Sequence, residues 1–146
     1  MRLFKTFPLL DYHTIVDLGA YGGEFTDGVK HIGKPKRVVL IEAYTRSAAK
    51  LKSKFASQDS IQVVHAAIRD RNCPLILRIN THRGSNSLLR ITETASKTFG
   101  KEMREVETVK VPGQTLDSLF EEQNLDQVAL LKVDLQGAEH QMIAGG

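Results

Sequence analysis

Tryptophan is absent from this chain, cysteine occurs once, and no apolar run approaches the length of a membrane span. Each absence removes a class of protein. A lone Cys73 can form neither an intrachain disulfide nor a cysteine-based metal site, so a reducing compartment fits and a cytoplasmic location is expected. Cys73 stands before Pro74 with no partner suggested by the sequence, and it reads as structural filler. The missing run of about 20 apolar residues leaves no candidate transmembrane helix. Met1 to Leu10 carries an Arg and a Lys on a broken apolar stretch with no small-residue cleavage site after it, so no signal peptide is expected. Only three Tyr and six Phe are present, and no aromatic series interleaves with the lysines to stack bases. The net charge of +3 and pI of about 9.1 therefore do not point to nucleic acid. Lys50, Lys52 and Lys54 read as the solvated face of a helix. The acids are dispersed and no His-x-x-x-His pair occurs, so no metal site is expected.

What is present is an alternation of strand and helix signals. At 146 residues, with 41% hydrophobic and 25% charged residues, the chain has the composition of one globular domain, expected to span residues 1–146. Thr14 to Leu18 is β-branched and apolar, a short buried strand. From Glu24, Phe25, Val29 and Ile32 fall at helical spacing, and Gly33 and Pro35 stop the helix. Arg37 to Glu42 is apolar on both faces, as in a parallel sheet covered by helices. Ser47 to Phe55 reads as the second helix and Ile61 to Ile68 as the third strand. Pro74 to Asn80 and Val106 to Val111 then suggest a two-stranded insertion around residues 74–111. A polar loop at Thr81 to Ser87 follows its first strand, and Thr92 to Glu105 is ambiguous between helix and loop. Thr115 is a plausible N-cap for a helix that turns Leu116, Leu119 and Phe120 inward. Val128 to Asp134 is the fourth central strand, and Gly137 and Ala138 open a last helix. This order predicts an α/β fold, a mostly parallel sheet with helices on both faces.

In such sheets ligands bind outside the carboxyl ends of the strands. Asp17, Glu42 and Asp134 all stand there. Alone, each acid reads as a loop solvator; together they mark a site. The turn after the first strand, Gly19-Ala20-Tyr21-Gly22-Gly23, lets backbone approach a ligand closely. It lacks the G-x-G core of a dinucleotide fingerprint, and a diphosphate would meet the carboxylates of Asp17 and Glu24. A ligand with positive charge and free hydroxyls suits these acids better. Glu42 can accept hydrogen bonds from both hydroxyls of a ribose. Ala67 and Ile68, at the third strand's exit, are plausible walls for a base. Lys132 lies two residues before Asp134 on the same strand face, where it could hold a polar substrate or pair with Asp134. His82 and His140 are possible bases, although an isolated histidine is more often a surface residue. His65 alternates with apolar neighbours and reads as packed.

Asp17-Leu18-Gly19-Ala20-Tyr21-Gly22-Gly23-Glu24-Phe25 resembles the first motif of the FkbM-type S-adenosylmethionine-dependent methyltransferases. Thr115-Leu116-Asp117 is similar to that family's TLD segment, and Leu130 to Glu139 (LLKVDLQGAE) to its LLKIDVEGAE segment. The three stand in the family's order. The family usually carries Asn at the position of Tyr21 and Glu at that of Gln136. The resemblance implies a Rossmann-like class I methyltransferase fold and S-adenosylmethionine as cofactor. Asp17, Gly19, Ala20, Tyr21, Gly23, Glu42 and Ala67 are the expected cofactor-binding residues, with Asp17 on the amino group directly or through water. Asp134 and Lys132 are the expected catalytic residues, Asp134 as base or acceptor-orienting group. Methylation of a hydroxyl on a sugar or small metabolite is implied, with neither nucleic acid nor membrane as partner. A full sheet of that class continues beyond the fourth strand, so a C-terminally truncated domain is expected, with an exposed sheet edge able to self-associate. Two other readings stay open at this level: a non-catalytic fragment that keeps the cofactor cradle, and an NAD-dependent oxidoreductase on the same sheet.

Overall fold

The computed structural model describes residues 13–92 and 104–146. Its centre is a sheet of four parallel strands in the order β3-β2-β1-β8. They are β1 (Thr14–Leu18), β2 (Arg37–Glu42), β3 (Ile61–His65) and β8 (Val128–Val133). Strand alternation divides the core in two. Ile15, Val38 and Leu40 face one way, onto Val29 of α1 (Glu24–Ile32), Leu51 of α2 (Thr45–Lys54) and Phe55 just after it. Val16, Leu18, Val39 and Ile41 face the other way, onto Leu119 of α3 (Leu116–Glu122) and Met142 of α4 (Glu139–Ile143). Helices on both faces explain why β1 and β2 read as continuous apolar runs rather than alternating ones.

The expected third strand, residues 61–68, is two strands. β3 pairs with β2 as far as His65, opposite Glu42. Ala66 then donates its N–H to the Glu42 carbonyl at 3.2 Å. Beyond it, β4 (Ala67–Ile68) leaves the central sheet and pairs in parallel with β7 (Gly113–Gln114). Only Gln62 and His65 interrupt the apolar run, and neither marks the change of partner; the small Ala66 and Ala67 leave room for the backbone to turn. α2 begins at Thr45 rather than Ser47 and ends at Lys54. β8 ends at Val133, although Asp134 still donates its N–H to the Leu18 carbonyl at 3.1 Å.

The insertion is an antiparallel hairpin of β5 (Leu75–Asn80) and β6 (Glu105–Val111). Its inner face, Leu75, Leu77, Ile79 and Val111, packs on Tyr44 and Ala67. A short 3-10 turn, Arg83–Ser85, lies within the expected polar loop. The ambiguous stretch at Thr92 to Glu105 falls largely on residues 93–103, and the leader considered at Met1 to Leu10 falls before residue 13; both lie outside the described residues. Thr115 caps α3 as its sequence suggests, its Oγ1 accepting the Ser118 N–H at 3.1 Å. On the side of β8 away from β1, the described residues supply no further strand. Among them no helix is long and apolar enough to cross a membrane.

Leu119 joins α3 to the sheet with no exposed surface. Leu119→Ala is expected to cost about 2–5 kcal/mol, since neighbours on a β-sheet relax little into the space left. Urea unfolding measures it, and a loss well under 1 kcal/mol would show that α3 contributes little to the core.

Candidate cofactor and acceptor site

The carboxyl ends of the central strands open into a cavity of about 290 Å³. Its walls include the Gly19-Ala20-Tyr21 turn, Glu42 and Ala43 at the end of β2, Ala66 to Ile68 after β3, Gly84 and Asn86 to Leu88 of the hairpin loop, and Asp134 to Gln136 after β8. Gly19, Ala20, Tyr21, Glu42, Ala67, Lys132 and Asp134, named from sequence, all line it.

Gly19 is where the turn meets β8. Its φ is +76°, and a Cβ there would overlap the Asp134 carbonyl oxygen. Any other residue would push the β1 and β8 tips apart. The Gly19 and Ala20 N–H groups both donate to the Ile41 carbonyl at 3.0 Å, which ties the turn to β2 as well.

Glu42 is 8% exposed. Its Oε2 accepts the Tyr21 N–H at 2.8 Å and its Oε1 the Tyr44 N–H at 2.7 Å. These two bonds fix the carboxylate plane, and each oxygen keeps a second lone pair for a ligand hydroxyl. Burial raises the Glu42 pKa above the ordinary carboxyl value, against the opposing pull of the two N–H donors and of His65 and Lys132.

Asp17 and Lys132 depart from expectation. Asp17 has no exposed surface and does not line the cavity. Its Oδ2 accepts from Thr26 Oγ1 at 3.1 Å, and its Oδ1 lies 3.0 Å from Lys132 Nζ. The Lys132 ammonium also donates to the Gly19 carbonyl at 2.7 Å. Lys132 therefore pairs with Asp17, its direct register partner across β1 and β8, and not with Asp134. Asp17 thus lies beneath the site, paired with a cation of the protein, and has no exposed oxygen for a direct contact with a ligand amino group. Burial raises the Asp17 pKa, opposed by Lys132 and Thr26.

Gly23 also stands elsewhere than expected. It is the N-cap of α1 at φ 80°, and a Cβ on it would press on Phe55 and Leu51. It is needed for packing α1 against α2 and does not line the cavity.

Asp134 is exposed at the opposite wall, where its Oδ1 accepts from Gln136 Nε2 at 2.7 Å. Gln136 takes a left-handed backbone, φ 54°, and its carbonyl accepts from Ser87 Oγ at 2.9 Å. Glu139 accepts the Leu135 N–H at 2.9 Å, closing the turn before α4. His65 Nε2 lies 3.0 Å from the Ala43 carbonyl, and neither it nor His82 nor His140 lines the cavity. The hairpin wall at Gly84, Asn86, Ser87 and Leu88 has no counterpart in the sequence reading. Its polarity marked a loop, and nothing in its spacing showed that the loop folds back over the strand tips. Among the described residues no group of three His, Cys, Asp or Glu side chains is placed to hold a metal.

A parallel sheet between helix layers, with a cavity at the strand tips and a carboxylate at the end of β2, defines a Rossmann-like α/β domain. Comparison with known proteins narrows the class. The family model for the methyltransferase FkbM domain matches residues 17–146, and the chain belongs to that family. Among solved structures it is similar to the crystal structure of methyltransferase FkbM from Methylobacillus flagellatus KT, with 18% identity and a TM-score of 0.59. That match covers 99% of this chain and 33% of the other, so the chain spans about a third of that relative's length. At this identity the likeness concerns the fold. Comparison with curated protein sequences gave no match.

Two outcomes follow from the buried charges. Lys132→Met leaves the Asp17 carboxylate buried without its cation and is expected to cost about 3 kcal/mol at pH 7. Adding Asp17→Asn to Lys132→Met is expected to restore about half or more of that loss in urea unfolding; strict additivity of the two single changes would dissolve the pair. The second outcome concerns pH. Native Glu42 holds its proton to a higher pH than the unfolded chain, whose value is near 4.5. Its contribution to stability is therefore complete below that pH and is lost as pH rises through the raised native value. The stability of wild type relative to Glu42→Gln is expected to fall as pH increases from about 4.5. A parallel pH dependence in both proteins would contradict the burial of Glu42.

Proposed function

We propose that the domain binds S-adenosylmethionine and transfers its methyl group to a hydroxyl of a sugar or small metabolite. One observation carries the reading: the Glu42 carboxylate, held by two backbone N–H groups at the tip of β2, faces the same cavity as Asp134 at the tip of β8. The family membership supports methyl transfer, and the hydroxyl acceptor rests on the resemblance.

The residues present fit such a cofactor. Glu24, Glu42 and Asp134 give the wall three carboxylates. Lys132, the cation among the described lining residues, is engaged by Asp17 and the Gly19 carbonyl. A diphosphate is poorly served by that charge balance, which argues against the NAD-dependent reading. When bound, S-adenosylmethionine supplies an electrophilic methyl on a sulfonium. Glu42 accepts hydrogen bonds from the ribose hydroxyls through its remaining lone pairs. Ala66, Ala67 and Ile68 form the apolar wall for the base and keep water from it. Lys132 holds the glycine turn against β8 and so sets the distance between the two sides of the cavity. Asp134 would take the acceptor hydroxyl's proton as the oxygen gains the methyl and the methyl's bond to the sulfonium breaks, leaving a neutral thioether, with Gln136 orienting the Asp134 carboxylate. Most of the rate enhancement is expected from holding two reactants in line rather than from proton transfer. A cytoplasmic, reducing setting belongs to the same proposal and is supported by the single half-buried cysteine.

Titration calorimetry with S-adenosylhomocysteine tests the reading. Wild type is expected to bind it, Glu42→Ala at least about tenfold more weakly, since two charge-assisted hydrogen bonds are removed, and NAD is expected to give no heat. A folded wild-type sample that shows no heat with S-adenosylhomocysteine would sink the cofactor assignment. Equal binding by Glu42→Ala would remove the role given to that residue alone.

A further inference from the structure

We propose that Gly84 determines acceptor specificity: the cavity opens past it, and the acceptor is a hydroxyl-rich chain larger than the cavity, such as an oligosaccharide, whose body lies outside. The inference deepens the methyl-transfer reading above and rests on it. Gly84 lines the cavity and is itself half-buried, so it stands between the strand-tip space and solvent. Its loop is fixed to the acceptor side, where Ser87 Oγ donates to the carbonyl of Gln136, the residue that holds Asp134.

Nothing in the fold requires glycine at this position. Gly84 is the middle residue of the 3-10 turn Arg83–Ser85, and its φ lies outside the left-handed region, so a residue with a side chain adopts this backbone without strain. A Cβ placed on it would meet the His82 ring at 3.5 Å, ordinary van der Waals contact. Gly19 and Gly113 differ, since a Cβ on either would overlap the carbonyl oxygen of Asp134 or of Cys73. Glycine loses more backbone freedom on folding than any other residue. What the missing side chain supplies at Gly84 is space in the cavity wall. That space matters because the cavity is small. At about 290 Å³ it stands at the lower end of the range for small-ligand sites, roughly 300–1,000 Å³. A nucleoside cofactor takes most of this volume and leaves room for little more than the reacting hydroxyl. The rest of the acceptor must leave the cavity. The rim at Gly84 is polar: Thr81 and His82 are exposed before it, and Ser85 and Asn86 are half-buried after it. The hydroxyls of a sugar chain suit such a rim, and an apolar chain does not.

The test is titration calorimetry with S-adenosylmethionine and with an analogue in which a six-carbon chain ending in a hydroxyl replaces the methyl. The chain leaves the sulfonium where the methyl does, so it must follow the path of the acceptor. Wild type is expected to bind both probes within about threefold of each other. Gly84→Leu is expected to bind S-adenosylmethionine within about twofold of wild type and the analogue at least about tenfold more weakly, since the leucine fills the opening. Gly84→Ala is expected to raise Tm of the ligand-free protein by roughly 1–4 °C, because alanine suits this backbone. A wild type that binds S-adenosylmethionine and rejects the analogue would show that no path leaves the cavity, and would overturn the proposal. Equal weakening of both probes by Gly84→Leu would place the residue against the cofactor, and weakening of neither would deny it a role; each overturns the proposal, as does a fall in Tm for Gly84→Ala. An analogue ending in a methyl that binds wild type as tightly as the hydroxyl-tipped one would overturn the hydroxyl-rich acceptor. A wild type that binds neither probe removes the cofactor reading itself, and the role of Gly84 with it.

Discussion

The Lys132 to Asp17 pair is the contact on which the site depends. A carboxylate without exposed surface is costly unless a cation and hydrogen bonds satisfy it. Asp17 has both, from Lys132 on β8 and Thr26 on α1. The same ammonium reaches the Gly19 carbonyl. One side chain thereby joins the first strand, the last strand and the glycine turn. The close approach of Gly19 to the Asp134 carbonyl is possible because these strand tips are drawn together. The cavity opens above that junction, and its two functional walls, at Glu42 and at Asp134, are spaced by it.

The division between floor and wall has a physical basis in the pleat of β1. Asp17 lies between Val16 and Leu18, at the buried end of the strand, where its carboxylate meets protein rather than solvent. Glu42 is likewise near a strand end but, by register, two positions further out, with its oxygens bonded to backbone N–H groups that can share them with a ligand. Both carboxyls are shifted upward by burial, yet one is held by a full positive charge and the other by dipoles. The first arrangement suits a structural clamp. The second leaves an acceptor poised for neutral donors such as sugar hydroxyls.

The hairpin of β5 and β6 turns a strand-tip cleft into a cavity. Its inner residues pack on Ala67, in the cavity wall, and on Tyr44, while its loop brings Ser87 to the Gln136 carbonyl. Gln136 in turn holds Asp134. The position of the proposed base is therefore coupled through two hydrogen bonds to an insertion remote in sequence. The break of the third strand at Ala66 serves the same end, since β4 leaves the sheet to pair with β7 at the foot of the hairpin.

Much of this was legible from residue order. Apolar runs two-sided at Val38 to Ile41 announce a covered parallel sheet, helical spacing places α1, Thr115 marks the start of α3, and acids at strand ends mark the rim. These are local properties, carried by periodicity, capping chemistry and turn composition. The motif segments around Asp17 and Lys132 named the family that the match over residues 17–146 shows. What only the tertiary structure decided are the pairings between distant segments. Lys132 bonds to Asp17 rather than to Asp134 because strand register, not sequence distance, sets which side chains meet. Gly23 has no room for a side chain because a Cβ there would press on Phe55 and Leu51. The hairpin loop joins the site because the chain folds back over the strand tips. Local chemistry determined the elements and the kinds of group they present; partnership across the fold determined which of those groups hold the protein together and which are left to meet a ligand.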